Sequence, residues 1–415
     1  MSDTFLPWRQ ARALARIAYE FKGSLAWGPQ GNHGLGWSLV DAAETPLAVI
    51  RESALVHNSA RMREYCDSAG FLLAPHAKTT MSPELMEYQT QSGAWAFAVA
   101  TAYQARRAMA FGADRIMLAA EVIDHVGLVD LMQRHNGGQC HELMFFVDSD
   151  EALSAVAAAS DAVGGGYSGH VLIECGHLGG RTGVRGVDVA VDLARAAFER
   201  PGVHLRGIAG YEATVPGIRT DEGLQRVDGF LEELKDVALS SRGFLGGDGF
   251  VTVGGSMYLD RVRERMADLP AQGLPVAVRS GCYLTHDHGL YETASHTTPM
   301  PSWSPGVEVW ARVISHNEPT LAIANAGRRD LSYDQGLPVA VKRITDGRAH
   351  DLSRVEVFAL SDQHAWMRLS DGTELAVGDL VGFGISHPCT TFDSWQVLAV
   401  VDDDDVVVGV CSTYF

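Results

Sequence analysis

Short apolar runs alternating with helical patterns dominate the middle of the chain. Eight runs can be counted: 71–75 (FLLAP), 96–100 (AFAVA), 115–120 (RIMLAA), 142–147 (ELMFFV), 170–175 (HVLIEC), 204–210 (HLRGIAG), 250–254 (FVTVG) and 275–279 (PVAVR). Most are apolar at successive positions, the pattern of strands covered on both faces in a buried parallel sheet. Helical patterns fall between them at 102–111, 124–134, 150–163, 188–198 and 221–239, with Asp150 the expected N-cap of the third. Eight βα units of this size predict an α/β fold, a (β/α)8 TIM barrel. A doubly wound open sheet is the main rival.

After about residue 300 the texture changes. Segments 307–315, 320–325, 355–360, 380–385 and 396–401 read as strands, separated by turn signals such as Asp346-Gly347 and Asp371-Gly372. They predict a second, mainly antiparallel β domain. The run 47–51 (LAVIR) precedes the barrel and is expected to join that domain. The expected division is therefore an N-terminal segment, 1–52, contributing to the β domain, a barrel at 53–297, and a C-terminal β domain at 298–415. Tyr211-Glu212 and 243–249 read as barrel loops, and the acid run 402–405 as a solvated turn.

Composition narrows the function. A net charge of −18 argues against a nucleic-acid backbone or an anionic membrane as partner, although a local pocket can still be positive. Cys66, Cys140, Cys175, Cys282, Cys389 and Cys411 include no CxxC pair, which disfavours a zinc ribbon or a thioredoxin-like site. Reduced thiols fit a cytoplasmic protein. The N-terminal stretch lacks the apolar core of a signal peptide. No segment reaches the ~18–20 apolar residues that span a bilayer.

Four places carry candidate chemistry. The first run ends in Pro75-His76-Ala77-Lys78-Thr79-Thr80. A lysine after a buried strand, at the functional face of a barrel, suits Schiff-base chemistry if burial keeps its amine neutral; taken alone such a lysine is more often a surface lysine in a βα loop. Gly254-Gly255-Ser256 follows the seventh run and Ser280-Gly281-Cys282-Tyr283 the eighth, where barrels often hold phosphate. Arg181, in the glycine-flanked loop after the fifth run, could pair with a pyridine nitrogen, weakening the ring as an electron sink, or be a surface arginine. His387 and Cys389, at i and i+2, would face one side of an extended chain; such a pair suits Zn2+ and also occurs in ordinary cores.

Taken together, PHAKTT around Lys78, HPCTTFDSW around His387 and Cys389, and ECGHLGGRTG around Arg181 resemble the fold-type III pyridoxal-phosphate (PLP) enzymes. Within them the match is to the D-serine dehydratase and D-threonine aldolase branch. The resemblance implies an alanine racemase-like barrel with Lys78 holding PLP as a Schiff base and acting as the base at Cα. It further implies Arg181 at the pyridine nitrogen, Gly254, Gly255 and Ser256 at the phosphate, and His76, Tyr211, Ser280 and Tyr283 near the cofactor. His387 and Cys389 would hold a divalent metal, Zn2+ by that likeness. The dehydratase type pairs His with Cys where aldolases more often pair His with Asp, which favours dehydration and deamination of a β-hydroxy-D-amino acid. Retro-aldol cleavage is the alternative, and a non-enzymatic PLP carrier, matching the barrel alone, a third. A homodimer is expected by the same analogy. Thr80 and Met81 stand where many relatives carry His-Lys, and the N-terminal segment is longer. These departures point to an amino-acid deaminase-like subgroup and leave the substrate open.

Overall fold

The protein is described by a computed structural model covering residues 6–10, 22, 35–39, 44–295, 302–345 and 348–415. The Asp346-Gly347 turn and most of the N-terminal segment lie outside the described residues.

All eight central runs form strands: Phe71–Leu73, Phe97–Val99, Arg115–Glu121, Glu142–Val147, Gly169–Gly176, Val203–Gly210, Phe250–Val253 and Val276–Val278. Their pairings are all parallel, and the eighth returns to the first with Val276 opposite Phe71. Isolated bridges join Leu73 to Ala94 and His76 to Ala98. There Trp95 N–H donates to Leu73 O at 2.7 Å and Ala98 N–H to Pro75 O at 2.9 Å. The ring is therefore closed, which excludes the open doubly wound sheet.

Strand periodicity explains the unbroken apolar runs. Ala74, Met117, Met144, Phe146, Leu172, Ala209, Phe250 and Ala277 fill the barrel interior. Their neighbours Ile116, Leu118, Leu143, Phe145, Val171 and Ile173 pack in the larger core that includes the surrounding helices. Caps set where the helices begin. Thr101, Asp124 and Thr220 accept from the N–H three residues on. The helix Asp150–Val163 is capped by Ser149, not by Asp150. Ser149 has the extended backbone a cap requires, while Asp150 adds a favourable charge in the first turn.

The second sheet follows the order Arg348–Asp351, Val339–Thr345, Leu380–Gly384, Val307–Glu318, Leu47–Arg51, Val397–Val401, Val407–Ser412. Leu47–Arg51 does join it, and its pairing with Val397–Val401 is parallel in an otherwise antiparallel sheet. Sequence patterning missed Val339–Thr345, Arg348–Asp351, Ala365–Leu369 and Val407–Ser412; the first two are interrupted by Lys and Arg or Asp. The expected loop at 243–249 contains the end of a short helix, Arg242–Leu245.

The chain passes from the β sheet to the barrel at Arg51, next to the helix Glu52–Ala69. Arg51 is buried and donates to both oxygens of Glu308, at 2.9 and 2.8 Å. Its Nη2 also pairs with Asp405 at 2.8 Å, so the acid run is not simply solvated. Trp310 Nε1 donates to Glu308 at 3.0 Å. Burial alone would raise the Glu308 carboxyl, but the hydrogen bond and charge of Arg51 hold it below the usual carboxylate range. Glu308 should therefore contribute stability above the unfolded carboxylate range and lose it as pH falls through its lower folded value. Glu308→Ala should destabilise the protein by about 3 kcal/mol, because it strands a buried guanidinium. Urea unfolding at pH 7 and pH 4 should show a smaller penalty at the lower pH; equal penalties would argue against this account.

Candidate cofactor and metal site

The closed ring places every strand's C-terminal end on one rim, and the site is assembled there. A cavity of ≈ 280 Å³ is lined by His76, Lys78, Arg181, Tyr211, Gly254, Gly255, Ser256, His387 and Cys389 among others. Nine of the eleven residues singled out in the sequence thus meet at one place. The volume is near the lower bound of small-ligand pockets, roughly 300 Å³.

Lys78 sits in a 3-10 turn, Ala77–Thr79, directly after the first strand. His76, which precedes that turn, has a buried Nδ1 with no hydrogen-bond partner among the described residues. Burial, with Lys78, Arg279 and Arg181 adding to it, holds its imidazole well below the usual range and hence neutral. Arg181 is exposed at the rim, its guanidinium 5.6 Å from the centre of the Tyr211 ring. Burial and the neighbouring Glu212 push the Tyr211 phenol up.

The glycine loop differs from the sequence expectation in one respect. Gly254 and Gly255 N–H donate to the two oxygens of buried Glu212, at 3.0 and 2.8 Å. These donors, expected to face a phosphate, are taken by a side chain that sequence reading passed over. The Ser256 and Ser280 hydroxyls lie 2.6 Å apart and keep further hydrogen-bonding capacity. Gly255 is needed for space: a Cβ there would sit 2.7 Å from Tyr211 Cε2. Tyr283 does not line the cavity. It is buried and accepts from Gln89 Nε2 at 3.2 Å, with Cys282 beside it facing the cavity instead.

Other charged groups shape the site. Arg279 is buried and donates to Thr252 Oγ1 at 2.8 Å and to Gly210 O at 2.6 Å. Burial, then the hydrogen bond and charge of Glu174, lift the Glu121 carboxyl to about 9. Glu121 accordingly retains its proton near neutrality. Glu121 stands in no motif that a single sequence reveals, and Glu174, although it opens the ECGHLGGRTG motif, is not singled out there as a charged group of the site.

His387 and Cys389 do not lie on one extended strand. His387 is extended, but Pro388 opens a short helix, Pro388–Phe392, that carries Cys389. They converge nonetheless, and Cys282 joins them: the three ligand atoms lie within 4.8 Å of one another. Cys282 Sγ is 3.7 Å from Cys389 Sγ, and Cys389 Sγ is 3.5 Å from Thr79 Oγ1, beside Lys78. Asp334 Oδ2 lies 2.7 Å from His387 Nδ1, and Thr390 Oγ1 donates to Asp334 Oδ1 at 2.7 Å. The hydrogen bond from Cys282, and then His387, draws the Cys389 thiol down, against burial. Burial works to lower the His387 imidazole, but Cys389 and Asp334 raise it to about 9. Cys282 escaped sequence reading because it lies 107 residues from Cys389, too far for any ligand spacing to show.

The residues present fit PLP and a thiolate-binding metal. An amine, an unpartnered imidazole nitrogen, the Ser256 hydroxyl and two arginines line one cavity, with Ser280 hydrogen-bonded to Ser256 but outside the lining, and a His–Cys–Cys group at its edge. Residues 50–276 match the family model described as alanine racemase, N-terminal domain, and 306–401 the one described as putative serine dehydratase domain. The chain is 23% identical over 368 residues to a 3-hydroxy-D-aspartate aldolase of Paracoccus denitrificans, covering 85% of this chain and 88% of that protein. It is 26% identical over 367 residues to a D-threonine aldolase of an Arthrobacter species, covering 87% and 89%. The solved D-threo-3-hydroxyaspartate dehydratase of Delftia sp. HT23 superposes with a TM-score of 0.75 at 23% identity, covering 91% of this chain and 99% of that one. Structures of D-threo-3-hydroxyaspartate dehydratase also include a His→Ala variant and a metal-free Cys→Ala variant, altered two positions apart. With the barrel, the β domain and the matched segment in agreement, the chain belongs to the alanine racemase N-terminal-domain family, the fold-type III PLP enzymes.

Proposed function

We propose that this protein is a PLP- and metal-dependent lyase that dehydrates and deaminates a β-hydroxy-D-amino acid to a 2-oxo acid and ammonia. The observation carrying this reading is that Lys78, Arg181, the Gly254–Ser256 loop and the His387–Cys389 pair border one cavity. The dehydratase relative, with a His and a Cys two positions apart among its studied variants, supports the same chemistry.

The cofactor would supply an electron sink for charge developing at Cα, and a divalent metal, Zn2+ by its thiolate ligand, would supply Lewis acidity at the β-hydroxyl. Lys78 Nζ would hold the cofactor aldehyde and, once displaced by the substrate amine, take the α-proton. Arg181 would face the ring nitrogen and keep it unprotonated, tempering the sink. Ser256 and Ser280 would donate to the phosphate. Tyr211, packed on Gly255, would fix one side of the ring. His387 and Cys389 would hold the metal beside Thr79, next to the lysine.

Aldol cleavage is the second reading, favoured by the aldolases among the relatives. In both, a metal held by His387 and Cys389 would supply Lewis acidity at the β-oxygen; they differ in which bond breaks.

Three outcomes are expected. Incubation with D-serine, D-threonine and 3-hydroxyaspartate, with their L-enantiomers as controls, should yield ammonia and a 2-oxo acid in equal amounts. An aldehyde with an amino acid would establish the aldolase instead. Lys78→Ala should abolish the visible absorbance of the lysine-bound cofactor and cut turnover roughly 100-fold or more; unchanged colour would reject Lys78. Chelation should lower turnover at least about tenfold while the cofactor absorbance stays. Full activity after verified metal removal would reject metal-assisted elimination.

A further inference from the structure

We propose that Cys282 is a third metal ligand, making the centre a Cys2His site with one position left for the substrate oxygen. The proposal rests on the metal reading above and extends it to a residue that the His–Cys pair does not include.

The geometry carries it. Two sulfurs each ~2.3 Å from a tetrahedral zinc lie about 3.8 Å apart. Cys282 Sγ and Cys389 Sγ are 3.7 Å apart, and the His387 ligand nitrogen lies within 4.8 Å of both. The sulfur pair already has the spacing one zinc ion requires, and the His387 nitrogen lies near enough to complete the group by a side-chain adjustment. His387 is already oriented for the task. Its Nδ1 is engaged by Asp334, leaving Nε2 for the metal, and a carboxylate behind a ligating imidazole is the common outer-sphere arrangement. Asp334 is itself fixed by Thr390 Oγ1, and the His387 N–H by Ser332 Oγ at 3.1 Å. Asp334 is thus a positioning residue.

Cys282 is brought to the pair by a different part of the fold. It belongs to the turn Cys282–Leu284 after the eighth barrel strand, whereas His387 and Cys389 belong to the β domain. Close backbone approach makes this possible. A Cβ on Gly281 would sit 2.4 Å from Thr79 Oγ1, so only glycine lets the turn lie against the Lys78 segment. A metal held this way ties the barrel rim to the β domain directly beside the lysine.

The donor set has chemical consequences. Two thiolates and a neutral imidazole cancel the charge of a divalent ion and form a soft site, selecting Zn2+ over Mg2+ or Mn2+. Three protein ligands leave the fourth tetrahedral position open, as catalytic zinc sites do. The ligand that position takes is a hydroxyl oxygen, since a neutral centre has no net charge with which to retain a carboxylate.

The test uses the PLP-loaded enzyme. X-ray absorption at the zinc edge of the unmutated protein should count two sulfurs per zinc; one sulfur would overturn the proposal. Loaded with Co2+, Cys282→Ser should show about half the thiolate-to-cobalt charge-transfer intensity of the parent. It should also lose zinc to a chelator at least roughly tenfold more readily. Retained cofactor absorbance verifies the fold. An unchanged Cys282→Ser beside collapsed His387→Ala and Cys389→Ala would overturn the third ligand and leave the two-residue site intact. Metal binding indifferent to all three substitutions would overturn both.

Discussion

Arg51 closes a β-domain strand and opens onto a helix packed against the barrel, so its position governs how the two sheets meet. Its guanidinium joins Glu308 and Asp405 in a buried cluster, and the same Glu308 holds the Trp310 indole. A charge in that position tolerates little displacement, because separating it from its partners leaves an ion in a low-dielectric interior. The chemistry needs such a fixed seam. Lys78 and the glycine loop come from the barrel, while His387 and Cys389 come from the β domain. Their approach to 3.5 Å, between Cys389 Sγ and Thr79 Oγ1, exists only if the two sheets keep their relative placement.

The seam also explains the charge pattern around the cavity. Arg279 and Arg181 and the Lys78 amine stand on one barrel rim with Glu174 and Glu212. Glu212 is satisfied by two backbone N–H groups, and its charge also acts on Arg279. Cationic groups facing the cavity can thus accept an anionic cofactor on a protein whose net charge is −18. The surface charge and the pocket charge answer to different neighbours, and only the second bears on cofactor binding.

What the sequence disclosed follows from which forces are local. Strand runs were legible because both faces of a barrel strand are buried, so the eight runs and their order survive with boundary shifts of one or two residues. Strands with mixed faces, such as Val339–Thr345, were not, because alternation broken by Lys342 and Arg343 resembles a loop. Lys78, His387 and Cys389 were legible because each sits in a compact motif. Cys282, Glu212, Asp334 and the Glu121–Glu174 pair were not, since their partners lie tens to hundreds of residues away and meet only in the folded chain. Tyr283 shows the limit of placing a residue by its loop alone: its ring is buried against Gln89, and in the turn Cys282–Leu284 it is the neighbouring Cys282 that lines the cavity.

The buried carboxyl pair bears on which of the two proposed reactions this cavity favours. Elimination of a hydroxyl needs a proton delivered to the departing oxygen; aldol cleavage needs one removed from it. Glu174 lines the cavity, and the Glu121 carboxyl hydrogen-bonded to it is lifted to about 9 and so keeps its proton near neutrality. A carboxyl that keeps its proton is a donor, not a base. The His76 imidazole, whose buried Nδ1 has no hydrogen-bond partner among the described residues, is held well below its usual range by burial and by Lys78, Arg279 and Arg181, so gaining a proton there is costly. Under the proposed dehydration, a protonated carboxyl next to Glu174 would serve as the proton source for the departing oxygen, a role that aldol cleavage does not call for.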